Sequence, residues 1–214
     1  MGATSPKQFL RLGSVPVLVR TLRVLAGSRV VGGIVLVAPP AAVERTRRLV
    51  ARHRVPRVLA VVPGGAERQE SVWLGLLAVP PAVDVVVVHD GVRPFITATL
   101  VRNVVEAAAR HGAASCGLPI RETVKRVREG FVETTVDRGG LWLIQTPQAF
   151  RRTLLWEAHE KARRDGFLGT DDAVLVERLG VAVRMVAGLR ENLKITTPDD
   201  LARARVLASA RGRR

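Results

Sequence analysis

The chain has 214 residues, of which 47% are hydrophobic and 25% are charged. This length and composition fit one globular domain of ordinary size, so wholesale disorder, a collagen-like fibre and a solenoid array are excluded. No apolar run approaches the roughly 20 residues that span a bilayer, and no apolar signal-peptide region follows Met1, so we expect no membrane partner. The single cysteine, Cys116, cannot form an internal disulfide, which favours a reducing cytoplasm.

The formal net charge is +15, and the basic excess is concentrated in residues 45–57 and 203–214. Such clusters can bind nucleic acid through phosphate contacts. However, Arg45, Arg48 and Arg52 recur at the spacing of the solvated face of a helix, and no aromatic residue lies among them to stack on bases. We therefore expect no nucleic-acid partner, and the positive charge suits an anionic small-molecule substrate.

Short β-branched runs alternate with longer amphipathic segments along most of the chain. Strands are predicted at 33–38, 58–62, 85–88, 141–144 and 182–186, the third of them fully buried. Helices are predicted at 15–26, 41–53, 71–78, 97–110, 151–164, 172–179 and 198–209, with Ser71 as the N-cap of the third. This order predicts a single α/β domain over residues 1–214, with a mostly parallel sheet covered by helices on both faces.

A different pattern interrupts this alternation at about residues 119–142. Two short strand-like runs, 123–127 and 131–136, flank Arg128-Glu129-Gly130, and this spacing predicts a β-hairpin. A hairpin inserted into such a domain commonly extends out of it as an arm. An exposed arm of this kind has to be covered by another surface. We therefore expect a dimer partner.

In open α/β sheets, ligands lie beyond the carboxyl ends of the strands, so the segments that follow the predicted strands are the candidates for a site. Residues 62–71 form a glycine turn into a helix, where free N–H groups can meet an anion or a base edge, or where the turn is only structural. Asp90 and Arg93 can serve a metal or hydroxyl and a phosphate, or they can pair with each other. His89 has no second histidine at ligand spacing and is expected to be a scaffold residue.

Other segments carry single polar candidates. Thr146 follows a predicted strand and can donate its hydroxyl to a substrate, whereas Thr170 lies in a segment better interpreted as a helix cap. Lys7 and Lys194 are two of only four lysines in an arginine-rich chain, and an ammonium is a compact charge for a phosphate oxygen. No GxGxxG, GxxxxGK[ST], CxxC pair, HExxH or GxSxG motif is present, which argues against a dinucleotide-binding oxidoreductase, a P-loop NTPase, a zinc site and an α/β-hydrolase.

Eight motifs follow one another along the chain. They are Pro6-Lys7-Gln8-Phe9-Leu10, Gly64-Gly65-Ala66-Glu67-Arg68 with Ser71-Val72, Val88-His89-Asp90-Gly91-Val92-Arg93-Pro94, Glu122-Thr123-Val124-Lys125, Thr135-Val136-Asp137-Arg138, Gln145-Thr146-Pro147-Gln148-Ala149-Phe150, Thr170-Asp171-Asp172 and Asn192-Leu193-Lys194-Ile195-Thr196. In this order the chain resembles the 2-C-methyl-D-erythritol 4-phosphate cytidylyltransferase family of the non-mevalonate isoprenoid pathway, from residue 1 nearly to Leu207.

The resemblance implies a nucleotidyltransferase-type, Rossmann-like three-layer α/β sandwich whose protruding β-arm exchanges across a homodimer. It implies that CTP and methylerythritol phosphate are joined with release of pyrophosphate, with Mg²⁺ as the cofactor and no dense carboxylate cluster to hold it. The implied catalytic residues are Lys7, Lys194 and Arg138. The implied substrate-binding residues are Asp90, Arg93, Thr123, Thr146 and Thr170, with Arg138 and Thr123 supplied by the arm of the partner. The implied nucleotide-binding residues are Gly65, Ala66, Ser71 and Gly91.

The sequence departs from the family pattern in two places. The family ordinarily begins with an apolar strand and a loop of the form Ala-Ala-Gly-x-Gly-x-Arg-Met-Gly, of which Met1-Gly2 match the last two residues. Without that strand, its neighbours in the sheet are expected to keep unpaired N–H and C=O groups. We therefore expect either that the protein starts upstream of Met1 or that this form folds poorly and binds CTP weakly. The second departure is Ala66, where the family usually carries Asp against the cytosine, so that cytosine selectivity is less secure than the reaction class.

Three alternatives remain open at this point. A cytidylyltransferase for another sugar-alcohol phosphate, such as ribitol 5-phosphate, shares almost all of these motifs. A catalytically silent paralogue would account for the missing loop. A basic nucleic-acid-binding module would show association that weakens steeply with salt.

Overall fold

The structure is a computed structural model that describes residues 6–211, with Arg211 described by its backbone only; Met1 and Gly2 lie outside this range. The helices are α1 Val17–Gly27, α2 Val43–Arg52, α3 Arg68–Leu77, α4 Ala98–His111, α5 Arg152–Arg164, α6 Asp172–Glu177 and α7 Pro198–Arg211, with short 3-10 turns at Lys7–Phe9 and Pro40–Ala42. The strands are β1 Arg11–Leu12, β2 Val15–Pro16, β3 Ile34–Ala38, β4 Val58–Pro63, β5 Val85–Val88, β6 Ala113–Pro119, β7 Val124–Arg128, β8 Phe131–Val136, β9 Trp142–Arg151 and β10 Arg184–Ala187. Within the described range, no helix is long and apolar enough to cross a membrane.

Three of the four strands of the central sheet run in one direction, as predicted for a mostly parallel sheet, and β9 runs against them. Four strands lie in the order β10-β6-β9-β5, and β9 is antiparallel to both of its neighbours, whereas β10 and β6 are parallel. The antiparallel pairing follows from the connection, because the chain leaves β6, forms the hairpin and returns along β9 without a helical crossover. Strands β3 and β4 pair in parallel with each other.

An apolar cavity of about 950 Å³ lies between β3 and β5. Among the described residues, β3 pairs only with β4 and β5 only with β9, so one edge of each strand faces this cavity. All four valines of β5 are therefore only half-buried, where the sequence predicted a fully buried strand. Unpaired edges of these neighbouring strands are what the departure from the family pattern predicts.

Two predicted boundaries were wrong for local reasons. Helix α3 begins at Arg68, with Glu67 as an N-cap that uses no side chain, so Ser71 is not the cap but lies in the first turn. The Ser71 hydroxyl instead turns back and accepts from the Gly65 N–H at 3.1 Å. Strand β9 continues through Gln148 to Arg151, so the segment carrying Thr146 lies inside a strand rather than after one.

The hairpin was predicted correctly. Strands β7 and β8 pair antiparallel with each other and with no other strand in the described part of the chain. Glu129 and Gly130 adopt positive φ angles of 51° and 85° and make the tight reversal between them. Apolar side chains of this arm are exposed, including Phe131 at 79% and Val132 at 61%.

Candidate active site

A cluster of charges forms where the chain leaves β5. The Asp90 carboxylate oxygen Oδ2 lies 3.1 Å from Nε of Arg93 and 3.2 Å from Nζ of Lys194. Partial burial acts to raise the pKa of Asp90, but the positive charges of Lys194 and Arg93 outweigh it and leave this pKa below its ordinary value. The carboxylate is therefore ionised at neutral pH and is shared by two cations.

Backbone contacts bring Lys194 to Asp90. The Ile195 N–H donates to the Val92 carbonyl at 3.0 Å, which joins the segment after β10 to the segment after β5. Ile195 is fully buried in a small core with Phe95, and this packing holds the junction in place. Lys194 itself stays 42% exposed, so its ammonium reaches solvent and any ligand in the cleft.

Arg93 is a largely buried residue that connects the parts of the cluster. Its side chain is 11% exposed; Nε faces Asp90 and Nη1 donates to the Asn192 carbonyl at 2.9 Å. The amide of Asn192 in turn donates to the Thr146 carbonyl at 2.8 Å. Arg93 thus has two of its nitrogen atoms engaged within the protein, so the internal ion pair that the sequence left open is present.

Thr146 and His89 hold the backbone of Asp90. The Thr146 hydroxyl accepts from the Asp90 N–H at 3.0 Å and lies 3.1 Å from Nδ1 of His89. The other ring nitrogen of His89 lies 3.4 Å from the Arg93 carbonyl. Burial lowers the pKa of His89 to about 4, so the ring is neutral and serves as scaffold, as predicted. A hydrogen bond from Thr146 to a substrate stays a prediction.

The glycine turn that precedes α3 is satisfied internally. The Gly65 N–H donates to Ser71, and the Ala66 N–H donates to Glu70 Oε2 at 2.8 Å. These two donors are therefore not free for an anion, which agrees with the structural turn that the sequence left open, because side chains of the first helical turn fold back onto them. Gly91, the fourth implied nucleotide residue, accepts from Thr21 Oγ1 at 3.0 Å through its carbonyl.

Arg68 is a member of the site that was not predicted from the sequence. It lines the cavity beside Asp90 and contacts both Asp90 and the buried Asp172. One signal was available: a cation in the first turn of a helix is disfavoured by the helix dipole and indicates a nearby carboxylate. Asp172 was visible only as part of a capping segment, and that capping is confirmed, because the Asp171 side chain accepts from the Val174 N–H at 3.1 Å.

Four implied residues lie apart from this cluster. Lys7 is exposed in the first 3-10 turn, and only its neighbour Gln8 lines the cavity with Asp90. Thr170 is exposed just ahead of the α6 cap. Thr123 and Arg138 flank the arm, where Arg138 donates to the Arg121 carbonyl. Their roles stay predictions, and for the last two the prediction requires a second copy of the chain.

Comparison with known proteins identifies the family to which the chain belongs. The family described as 2-C-methyl-D-erythritol 4-phosphate cytidylyltransferase matches residues 1–209. A relative of that name from Geobacillus thermodenitrificans is 45% identical over 99% of this chain and 92% of its own length. Another, from Symbiobacterium thermophilum, is 47% identical over 100% of this chain and 89% of its own. The crystal structure of the protein of that name from Thermus thermophilus superimposes with a TM-score of 0.84 at 39% identity, covering 97% of this chain and 96% of that one. The chain therefore belongs to the 2-C-methyl-D-erythritol 4-phosphate cytidylyltransferase family and has its nucleotidyltransferase-type α/β fold.

Proposed function

We propose that this nucleotidyltransferase joins CTP and 2-C-methyl-D-erythritol 4-phosphate to give 4-diphosphocytidyl-2-C-methyl-D-erythritol and pyrophosphate. Family membership supports the reaction, and one observation carries the assignment of the site. That observation is the charge cluster of Asp90, Arg93 and Lys194, in which Asp90 also lines the cavity and faces Arg68 of the helix that follows the glycine turn. It combines a fixed carboxylate with an exposed ammonium at the end of a strand, where ligands of such sheets bind.

The chemistry needs cations and positioning more than acid–base catalysis. A phosphate oxygen of the acceptor attacks the α-phosphorus of CTP, one P–O bond forms in line with the bond that breaks, and pyrophosphate leaves with the electron pair. A phosphate monoester is already anionic near neutral pH, so no general base has to remove a proton. The barrier lies in bringing two polyanions together and in stabilising the charge at the reacting phosphorus.

The exposed ammonium of Lys194 is placed to supply part of that charge. Asp90 orients this ammonium through their ion pair and offers its remaining oxygen to a substrate hydroxyl. Arg93 is engaged within the protein and acts by holding Asp90 and the Lys194 segment together. Lys7 is proposed as a second cation at the rim, and Gly65, Ala66, Ser71 and Gly91 as the surroundings of the nucleotide.

The residues present fit Mg²⁺ as a cofactor that the protein holds weakly. Among residues 6–211, no group of three or more His, Cys, Asp or Glu side chains could hold a metal ion. Asp90 would contribute a carboxylate oxygen to the ion; its Oδ1 lies 3.9 Å from Nε of Arg68. Mg²⁺ commonly takes one or two carboxylates and completes its shell with phosphate oxygens and waters. When bound, it would neutralise charge on the nucleotide phosphates.

The arm supports a proposal of a homodimer. Its exposed Phe131 and Val132 would be covered by a second copy, and Thr123 and Arg138 of that copy would reach the acceptor phosphate.

We further propose that the reaction takes place in the reducing cytoplasm. Cys116 fits this compartment, because it is buried and burial raises its thiol pKa to about 12, which keeps it unreactive.

Pyrophosphate release from CTP, methylerythritol phosphate and Mg²⁺ tests the proposed reaction. We expect release that depends on all three components, and competition with ribitol 5-phosphate to favour methylerythritol phosphate. Preferred turnover of ribitol 5-phosphate would assign the other polyol. Absence of release with either acceptor, also from a form extended upstream of Met1, would identify a silent paralogue.

A further inference from the structure

Arg68 lies between two carboxylates from different parts of the fold. Its Nη1 atom is 2.8 Å from Oδ2 of Asp172, and its Nε atom is 3.9 Å from Oδ1 of Asp90. Asp90 follows β5, whereas Asp172 is the first residue of α6. The guanidinium can face both at once because its nitrogen atoms diverge within one rigid plane.

Asp172 needs Arg68 because its carboxylate is buried. The side chain is 1% exposed, and Oδ1 lies 3.1 Å from Nε2 of the fully buried His159. The other carboxylate oxygen, Oδ2, has no hydrogen-bond partner among the described residues, and the positive charge that faces it is that of Arg68, whose Nη1 lies 2.8 Å away. This ion pair offsets the cost of burying the carboxylate.

The contact with Asp172 also fixes the distance between Arg68 and Asp90. An unrestrained guanidinium would be drawn onto Oδ1 of Asp90 by the opposite charge. Held by Asp172, it stays 3.9 Å away, beyond hydrogen-bond distance, while Arg93 and Lys194 share Oδ2. Oδ1 therefore faces Arg68 without a hydrogen bond from it, and the three cations together surround the carboxylate.

We propose that Arg68 is a positioning residue for the cytidylyl transfer. Asp172 and His159 hold it, and it keeps the Asp90 carboxylate oriented with one oxygen available to the acceptor or its metal ion. This inference rests on the proposed function, because the role of Asp90 belongs to that function. The proposal adds the buried pair of Asp172 and His159 to the residues on which the reaction depends.

Steady-state kinetics of Arg68→Gln and Arg68→Lys test the proposal. We expect the KM for methylerythritol phosphate, or the half-saturating Mg²⁺ concentration, to rise by roughly tenfold or more in both variants, with a smaller change in kcat. Lysine at position 68 should fail to restore the wild-type value of either constant, since a single ammonium cannot face both carboxylates. Asp172→Asn, which removes the charge that holds Arg68, should reproduce the effect.

Arg178→Gln is the matched control. The side chain of Arg178 is 35% exposed, against 36% for that of Arg68. Arg178 forms an ion pair of 2.8 Å with Asp165, and neither residue belongs to the charge cluster. Its kinetic constants should stay within about twofold of the wild type. In an Asp90→Asn background, adding Arg68→Gln should change kcat/KM by no more than about twofold, because the residue acts through Asp90.

Thermal unfolding and a crystal structure of Arg68→Gln separate positioning from a structural role. A lowered unfolding temperature with unchanged KM in the folded protein would overturn the proposal. So would an unchanged Asp90 carboxylate and Lys194 contact in the variant crystal structure, a readout that needs no turnover. Absence of pyrophosphate release by the wild type, by contrast, would count against the proposed function.

Discussion

The ammonium of Lys194 lies 3.2 Å from the carboxylate of Asp90, although the two residues come from opposite halves of the chain. The pair is asymmetric: Asp90 is 13% exposed and anchored by Arg93, whereas Lys194 is 42% exposed. The carboxylate therefore fixes the position of a cation that remains free to meet a phosphate.

Lys194→Ala should lower kcat by roughly 10²-fold if this ammonium stabilises charge at the reacting phosphorus. Lys161→Ala is a suitable control, because Lys161 is 38% exposed and pairs with Asp165 at 3.0 Å outside the cluster. Pyrophosphate release measured at saturating CTP gives both values. A loss below threefold in Lys194→Ala would remove this residue from the proposed role.

Stability should fall with acid because of His89. The folded-state pKa of about 4 lies below the ordinary value of 6.5, so the unfolded chain binds the proton first as the pH falls. The stabilising contribution is complete above pH 6.5, declines below it and is lost by about pH 4, and amounts to up to about 3 kcal/mol. Urea unfolding of the wild type and of His89→Gln at pH 7, 5.5 and 4 gives the free energy of unfolding of each protein. The difference between the two measures the contribution of His89, since the pH-dependent contributions of Asp90 and other shared groups cancel. A difference between the two proteins that is independent of pH would contradict this prediction.

The cavity between β3 and β5 should accept one more strand. An extension ahead of Met1 that carries an apolar strand and the glycine-rich loop of the family pattern would pair with both open edges, where each unsatisfied buried backbone group costs about 1–3 kcal/mol. We expect a higher thermal unfolding midpoint and a lower KM for CTP. A glycine–serine extension of equal length is the control, and equal effects of the two extensions would show that the cavity does not select a strand.

A site shared between two copies can be detected by mixing two impaired variants. Lys194→Ala and Arg138→Ala should each be nearly inactive if each site takes Lys194 from one copy and Arg138 from the arm of the other. Random re-association after denaturation should then restore about a quarter of the wild-type activity, because half of the dimers are mixed and each contains one intact site. No recovery, with mixed dimers demonstrated by a tag on one variant, would show that each copy uses its own residues.

Features that depend on a few neighbouring residues could be predicted from the amino-acid sequence. The order of eight motifs indicated the family, and two short strand-like runs around Arg128-Glu129-Gly130 indicated the hairpin, in which Gly130 accommodates a positive φ. Thr97 was placed correctly at the start of α4, where its side chain accepts from the Leu100 N–H. Such signals depend on a few neighbouring residues and survive without knowledge of the rest of the fold.

Features that depend on partners far away in the chain could not be predicted in this way. Strand β6, Ala113–Pro119, contains no β-branched residue, yet it is a strand because it is paired by β9 on one side and β10 on the other. The antiparallel direction of β9 and the bridge formed by Arg68 likewise arise from contacts between segments far apart in the chain. At these places the energies of strand pairing and side-chain burial outweigh the local secondary-structure preference of the residues. These energies arise only when the distant segments come together.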